Sequence, residues 1–172
     1  GSAGLARARV GRCRLFFCLR GGGLQTSAFF FDILFYMKNN CIFCAIAAGE
    51  IPSFKVYEDD LVLAYLDINP FSKGHTLVIP KAHTEGLLDT PDETLATIIA
   101  RVKKVAAHLK QALPCDGFNI VQNNGEVAGQ TVKHVHFHIV PRYQGDDSTS
   151  FVGQPGDMAA LKSLAERIAL KN

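Results

Sequence analysis

Three histidines alternate with apolar residues at His134-Val135-His136-Phe137-His138, and this pattern constrains the fold more than any other part of the chain. Alternate side chains of an extended strand point to the same face. The pattern therefore predicts a strand over residues 134–140 with three imidazoles on one face. Val135, Phe137 and Ile139 would point the opposite way, so another layer of the domain must cover them.

Short runs rich in Val, Ile and aromatic residues predict further strands. A turn at Asp59-Asp60 would join the first two of them as a hairpin. The order of the elements favours antiparallel pairing over a parallel, doubly wound sheet. The predicted strands cover residues 54–58, 61–66, 75–80 and 118–121.

A long helix is predicted to start at Thr90-Pro91-Asp92-Glu93, with Thr90 as its N-cap and Glu93 completing a capping box. Apolar residues at helical spacing follow until Pro114 ends the helix. The predicted apolar stripe is Leu95, Ile98, Ile99, Val102, Ala106, Leu109 and Leu113. A brief helix closed by Gly49 and a C-terminal helix are also predicted, over residues 41–48 and 158–170. We therefore expect an α+β fold with an antiparallel sheet of about five strands.

The first 36 residues differ in composition from the rest, because they hold five arginines, one acidic residue and no lysine. The sequence begins without Met, whereas Met37 directly precedes ordinary globular patterning. We interpret residues 1–36 as a disordered leader, either a cloning remnant or translated upstream sequence, with an organelle transit peptide as the alternative. Residues 37–172 would form the domain, with a core over 41–145 and a tail over 146–172.

The charge and cysteine content of the domain limit its partners. Residues 37–172 carry 13 Lys and Arg against 15 Asp and Glu, which argues against a nucleic-acid partner. No apolar run is long enough to span a membrane, so we expect no membrane partner. Five cysteines, an odd number, do not indicate a disulfide framework and favour a reducing compartment, the cytoplasm.

The histidine cluster has three interpretations. It could be an exposed polar face, a three-histidine metal site, or a nucleophilic site in which one imidazole attacks phosphorus and its neighbours bind phosphate oxygens. The preceding segment, Gly125-Glu126-Val127-Ala128-Gly129-Gln130-Thr131, favours the third interpretation. Glycines and polar side chains in such a loop can direct N–H and hydroxyl groups toward an anion.

The histidine triad (HIT) family of nucleotide hydrolases and transferases has a signature of this kind. The chain resembles it at Gly129-Gln130-Thr131-Val132-Lys133-His134-Val135-His136-Phe137-His138-Ile139-Val140-Pro141-Arg142. A second block resembles it from Asp67 to His83. Cys41-Ile42-Phe43-Cys44, with Gly49-Glu50-Ile51-Pro52, is similar to the start of the bacterial-type members, close to the adenosine phosphoramidase branch. The resemblance covers residues 41–145.

The resemblance implies a homodimer with one continuous sheet and a covalent mechanism. His136 would be the nucleophile toward the α-phosphate of a nucleotide, and His138 and His75 would assist phosphate binding and orientation. Thr131 would act toward the phosphate or the leaving group. The resemblance also implies a set of nucleotide-binding residues, with Asp67 on the ribose hydroxyls, Asn123 and Gln130 on the phosphate side, and an apolar base pocket of Ile42, Phe43, Ile46, Ile51, Leu66 and Ile68.

Cys41-x-x-Cys44 supplies two thiolates, and a closed tetrahedral zinc site needs two more ligands. The resemblance implies that His83 and His134 complete this site, so that structural Zn²⁺ is the expected cofactor and no organic cofactor is expected. The alternative is that the cysteine pair only fills apolar space.

These inferences favour an enzyme that cleaves AMP conjugates at the α-phosphate, most simply a nucleoside phosphoramidase. Lys133 and Pro141-Arg142 also occur in relatives that cleave diadenosine polyphosphates, which makes such a hydrolase the first alternative. A nucleotide-binding module without catalysis is the second, because a fold alone does not guarantee activity.

Overall fold

The computed structural model describes residues 41–147 and 149–170, so the predicted leader and Met37 lie outside the described residues. The elements follow one another as a short helix, three strands, a long helix, two strands and a last helix. In chain order they are α1 (Ile42–Ala47), β1 (Lys55–Glu58), β2 (Val62–Leu66), β3 (Thr76–Pro80), α2 (Asp92–Ala112), β4 (Gly117–Val121), β5 (Phe137–Arg142) and α3 (Met158–Ile168), with a 3₁₀ turn (Glu126–Ala128) between β4 and β5.

The five strands form one antiparallel sheet in the order β1-β2-β3-β5-β4. This confirms the predicted α+β class, the strand count and the hairpin at Asp59-Asp60. Strand β5 lies between β3 and β4, and its His138 is opposite Leu77 on one side and Val121 on the other. The histidine sequence therefore sits inside the sheet, where neighbouring strands can hold its rings.

Two apolar layers cover the two faces of the sheet. Helices α2 and α3 pack on one face, where Ile98, Leu109 and Ile168 are fully buried. Helix α1 and the residues around it pack on the other face, against Leu63 and Ile79. None of the helices in the two described ranges is long and apolar enough to cross a membrane.

The strand predicted over residues 134–140 is shorter than expected, because β5 begins only at Phe137. Val135 donates its N–H to the Thr84 carbonyl oxygen, at 2.8 Å, instead of to a neighbouring strand. The predicted alternation is nevertheless confirmed. Val135 and Phe137 belong to the helix-covered core, whereas His134 and His136 are buried outside that core.

The predicted capping box at the start of α2 is wrong. The helix begins at Asp92 behind Pro91, and no side chain caps it. Thr90 is buried, and its hydroxyl donates to the Gly86 carbonyl oxygen at 2.7 Å and lies 2.8 Å from the Thr84 hydroxyl. Hydrogen bonds within the preceding loop therefore occupy the Thr90 hydroxyl, which the sequence pattern had assigned to the cap of the helix. Ile99, predicted in the apolar stripe, is also 49% exposed.

Asp59 ties the β1–β2 hairpin to α2. Its carboxylate accepts hydrogen bonds from the Leu61 and Val62 N–H groups at 2.9 and 2.8 Å, and from Tyr57 and Arg101 at 2.7 Å each. Partial burial by itself would raise the pKa of Asp59, but these donors, Arg101 first, outweigh it and hold the pKa well below its ordinary value.

Replacing Asp59 by Ala should lower the free energy of unfolding by about 2 kcal/mol, because hydrogen bonds to a carboxylate are lost. Asp60→Ala is the control, since that side chain is exposed and should change stability by less than about 0.5 kcal/mol. A lowered carboxyl pKa contributes its full stabilisation above the ordinary value of 3.8, and this contribution is lost progressively as the pH falls from that value to the lowered pKa of the folded protein. Urea unfolding should therefore show that Asp59→Ala is less stable than the wild type at neutral pH and that this difference becomes smaller in acid. Equal free energies of unfolding for the two proteins at neutral pH would contradict this role of Asp59.

Candidate active site

His75 and His138 form a hydrogen-bonded pair across β3 and β5. The Nε2 atom of His75 lies 2.9 Å from the Nδ1 atom of His138. The Phe71 backbone N–H can only donate, and it points at His75 Nδ1 from 3.2 Å. His75 therefore accepts at Nδ1 and donates from Nε2 to His138. This leaves the Nε2–H of a neutral His138 as a donor for a bound group.

His136 lies beside this pair, with its ring centroid 5.0 Å from that of His138. Its Nδ1 atom lies 2.6 Å from the carbonyl oxygen of His134. Because a carbonyl oxygen only accepts, Nδ1 of His136 carries the proton. The opposite nitrogen, Nε2, then keeps an unprotonated lone pair in the neutral ring. Phe43 packs edge-on against the ring with the centroids 5.2 Å apart and restricts its rotation.

Burial keeps the three rings neutral. It lowers the pKa of His75 and of His138 to about 3 each, and the neighbouring Arg142 charge and the other imidazoles act in the same direction. Burial also lowers the pKa of His136, although the bond to the His134 carbonyl opposes it. At neutral pH the site therefore presents one imidazole lone pair and neutral N–H donors.

Asp67 lies next to the histidine pair at the end of β2. Its Oδ1 atom accepts the Asn69 N–H at 2.8 Å, and its Oδ2 atom is 3.7 Å from His75 Nδ1. Asp67, His75 and His138 place one ligand atom each within 4.8 Å of one another, a spacing that a metal could use. Both nitrogens of His75 are however engaged with Phe71 and His138, so the contacts define a hydrogen-bond chain.

The glycine-rich loop directly precedes the histidine segment in the chain, and two of its glycines have positive φ, +81° at Gly125 and +88° at Gly129. A Cβ atom on Gly129 would lie 3.5 Å from the amide nitrogen of Asn123, and Thr131 is exposed at the end of the loop. Gln130 does not present its amide to a ligand as expected. Its Oε1 atom accepts the Gly125 N–H, and its Nε2 donates to the carbonyl oxygens of Glu85 and Val132. The buried amide thus braces the loop.

The residues expected in the base pocket differ in exposure and in the face of the sheet on which they lie. Ile42 and Ile68 are half exposed, and Phe43 contacts the rings of His134 and His136. Ile51 is also partly exposed, whereas Ile46 is buried in the smaller core. The expectation for Leu66 is wrong, because its side chain is buried in the core under α2 and α3, on the face of the sheet away from the histidines.

Tyr65 was missed by the sequence analysis. It precedes Leu66 in β2, so its side chain points to the other face, where it packs edge-on against Phe43 with ring centroids 6.2 Å apart. The alternation of side chains along β2 could have predicted this position. Asp67 lies beside the histidine pair, and Tyr65, two residues earlier, is expected on the same face. Tyr65 therefore replaces Leu66 among the residues on the face of the histidines.

Four further residues bring their ligand atoms within 4.8 Å of one another, namely Cys41, Cys44, His83 and His134. The Nδ1 atom of His83 is 3.2 Å from the sulfur of Cys44, and Nδ1 of His134 is 3.5 Å from that of Cys41. Hydrogen bonding from Cys44 lowers the pKa of Cys41, which favours one thiolate. Two sulfurs and two imidazole nitrogens are the donor set of a closed zinc site.

The backbone also prepares His134 as a ligand. Its Nε2 atom lies 2.9 Å from the Pro80 carbonyl oxygen, which can only accept, so Nε2 carries the proton and Nδ1 faces the cysteines without one. A backbone acceptor on the far nitrogen is the usual way in which proteins orient a metal-ligating histidine. The residues present therefore fit a zinc ion.

A sequence profile of the HIT domain matches residues 48–145. An uncharacterised HIT-like protein of Methanocaldococcus jannaschii is 58% identical over 114 residues, which cover 66% of this chain and 88% of that protein. The adenosine 5′-monophosphoramidase of Schizosaccharomyces pombe is 44% identical over 135 residues, 77% of this chain and 98% of that one. The structure of a zinc-bound histidine triad family protein from Mycobacterium smegmatis superposes with a TM-score of 0.65 at 45% identity, covering 75% of this chain and 93% of that chain.

The matched profile covers more than half of the chain, and the fold and the order of the histidines agree with it. The protein belongs to the HIT, or histidine triad, family. The resemblance inferred from the sequence is thereby confirmed.

Proposed function

We propose that this protein is a nucleotide hydrolase that cleaves AMP conjugates at the α-phosphate through a nucleotidyl-His136 intermediate. The observation that carries the proposal is the 2.6 Å contact between His136 Nδ1 and the His134 carbonyl oxygen. It leaves Nε2 as the nucleophilic atom in a buried ring that is neutral at physiological pH.

In the first step, Nε2 of His136 forms a bond to the α-phosphorus, the bond from phosphorus to the leaving group breaks, and the departing amine takes up a proton from solvent. The ring becomes positively charged, and the carbonyl oxygen of His134 stabilises that charge through the Nδ1–H group. The Nε2–H of His138 is placed to donate to a phosphate oxygen, with His75 fixing its tautomer. Thr131, at the exposed end of the loop, would act on the phosphate or the leaving group.

In the second step, water attacks the same phosphorus, the bond to His136 breaks, and the water's proton is released to solvent, which balances the proton taken up by the amine. AMP is released, and the ring returns to its neutral form. The half-buried Asp67 would accept hydrogen bonds from the ribose hydroxyls, because a carboxylate can accept from both. Asn123 would lie on the phosphate side, and Ile42, Phe43, Tyr65 and Ile68 would contact the base.

An AMP–amine phosphoramidate is the substrate class that one relative supports, although another relative, from Arabidopsis thaliana, is an adenylylsulfatase. The Schizosaccharomyces pombe relative, a monophosphoramidase, aligns over 98% of its own length. A diadenosine polyphosphate hydrolase and a nucleotide-binding module are the two alternatives. Buried cysteines without disulfides, Cys41, Cys44 and Cys115, agree with a cytoplasmic enzyme.

His136→Ala should lower kcat for an AMP–amine phosphoramidate by about 10³-fold or more, because the nucleophile is lost, while AMP binding stays within a few-fold. Leu88→Ala, on a side chain that is 95% exposed in a neighbouring loop, is the matched control. Turnover and calorimetric titration with AMP provide the two readouts. Turnover of the His136 variant within a few-fold of wild type would rule out the nucleophile assignment.

The same assay with a diadenosine polyphosphate separates the alternatives. A higher kcat/KM for the dinucleotide than for the phosphoramidate would identify the protein as a diadenosine polyphosphate hydrolase. Binding of AMP with cleavage of neither substrate would support a binding module.

We also propose that Cys41, Cys44, His83 and His134 bind one structural Zn²⁺. The four ligands leave no open position, so the ion would supply folding energy and not a reaction centre. It would join the start of α1 to the segment that carries His136. The position of the His136 ring would then depend on the metal cluster through the backbone of His134.

The purified protein should contain about one zinc per chain by elemental analysis, and Cys44→Ser should lower both the zinc content and the melting temperature because one of the four ligands is removed. Cys115→Ser is the matched control, since Cys115 is buried in the other apolar cluster and should leave the zinc content unchanged. Protein that folds fully and holds no zinc after expression in zinc-supplemented medium would contradict the assignment.

We further propose a homodimer that extends the sheet through β4. Within the described residues β4 pairs only with β5, so its other side is an open edge. Phe118, Ile120 and Ile99 are each 42–49% exposed around an apolar groove between β4 and α2. Exposed apolar surface along an unpaired strand is the kind of surface that a second strand covers.

Ile120→Lys should shift sedimentation equilibrium toward the monomer at micromolar concentration, because a charge would be buried at the interface. Val127→Lys is the control, as Val127 is fully exposed and outside the groove. A wild-type chain that sediments as a monomer at all concentrations would refute the dimer.

A further inference from the structure

A segment of the C-terminal tail, residues 149–156, lies along the turn over residues 67–71 that precedes His75. We call this segment the strap. The Gly156 N–H donates to the Ile68 carbonyl oxygen at 2.8 Å, and the Gln154 N–H donates to that of Pro70 at 3.4 Å. A Cβ atom on Gly153 would overlap the carbonyl oxygen of Asn69. Backbone contact this close requires glycine and fixes the strap against the turn.

Arg142, at the end of β5, anchors the first half of the strap. Its guanidinium donates to the carbonyl oxygens of Asp147 and Ser150 at 3.1 and 2.9 Å, and its Nε donates to Asn119 at 2.7 Å. The guanidinium also lies over the ring of Phe151, 5.1 Å from the centroid. The strap is thus held by the same strand that carries His138, and Phe151 is placed by that anchor.

Two phenylalanines connect the strap to the histidine pair. Phe151 meets the ring of Phe71 edge-on, with centroids 5.9 Å apart. Phe71 in turn lies nearly parallel to the rings of His75 and His138, at centroid distances of 4.4 and 5.6 Å. In the described part of the chain, the ring contacts of Phe151 are with Phe71 and Arg142 and with neither histidine.

Parallel stacking constrains how the two imidazoles can rotate. The 2.9 Å hydrogen bond between them requires the Nε2–H of His75 and the lone pair on Nδ1 of His138 to point at each other, each within the plane of its own ring, and the two planes differ by 26°. Phe71 covers one face of both rings, so neither ring can tilt toward it without displacing it. The backbone N–H of Phe71 also sets the tautomer of His75. One residue therefore controls both the orientation and the protonation pattern of the pair.

We propose that Phe71 and Phe151 are positioning residues, through which the strap holds the His75–His138 pair in the geometry that presents the Nε2–H of His138 to the phosphate. The consequence for turnover rests on the proposed hydrolase function. The effect on the histidine pair does not, because it is a property of the protein without substrate.

The decisive variant is Phe151→Leu, since it removes a ring that touches neither histidine. Histidine labelled with ¹⁵N shows which ring nitrogen carries the proton, and this signature is insensitive to the ring current of a nearby phenylalanine. The wild type should show Nε2–H on both His75 and His138. Phe151→Leu should add a second tautomer, and Phe151→Tyr, which keeps the ring, should restore the wild-type pattern. Val152→Ala is the control, because Val152 is 68% exposed.

With an AMP–amine phosphoramidate, Phe151→Leu should lower kcat about 10-fold and leave KM within about two-fold, because positioning affects the transition state more than binding. An unchanged tautomer pattern overturns the proposal whether or not turnover falls. A changed pattern with unchanged kcat in an active enzyme also overturns it. If the wild type cleaves no AMP conjugate, the hydrolase function fails and the tautomer pattern alone decides the inference.

Gly153→Ala tests the strap by a second route, because the added methyl group must push the strap away from Asn69. Gly117→Ala is its matched control, since a Cβ atom there meets nothing within 4 Å. Gly153→Ala should reproduce the tautomer change of Phe151→Leu while circular dichroism stays that of the folded protein. A folded Gly153→Ala protein with the wild-type tautomer pattern overturns the role of the strap.

Discussion

The hydrogen bond between His136 Nδ1 and the carbonyl oxygen of His134 connects the two halves of the site. The ring of His134 lies in the cysteine–histidine cluster, and its backbone holds the neighbouring catalytic candidate. A change that moved His134 would therefore also move the His136 ring, although the two side chains serve different chemistry. The cysteine–histidine cluster and the active site are therefore coupled through His134 and His136, which are two positions apart in the chain.

Burial is the second constraint, and it acts on protonation. Imidazoles in water titrate near pH 6.5, but desolvation in this sheet favours their neutral forms at physiological pH. Backbone groups then select the tautomers, since the Phe71 N–H, the His134 carbonyl and the Pro80 carbonyl each leave one nitrogen with a defined role. Three histidines thereby obtain different roles from identical rings, and His138 takes its tautomer from its bond to His75.

Much of the architecture could be predicted because it follows from local patterns. The period of two around His136 placed Val135 and Phe137 in the core, and the turn at Asp59-Asp60 formed the hairpin. The errors have different physical causes. Thr90 bonds to its loop and not to the helix, and Gln130 braces the loop across to Glu85. The family motif predicted Leu66 in the base pocket, whereas the alternation of side chains along β2 places Tyr65 on the face of the histidines.

The sequence by itself determined the class of the fold, the family and the residue types of the site, because hydrophobic periodicity and motif spacing are local properties. Only the tertiary structure decided which nitrogen of each histidine is free and how the rings are stacked. It also decided that the tail reaches Phe71 from about 80 residues away along the chain, through Phe151. The contact of Phe151 joins segments distant in sequence, and the bonds that select the tautomers of His136 and His75 depend on a backbone conformation that no local sequence pattern records.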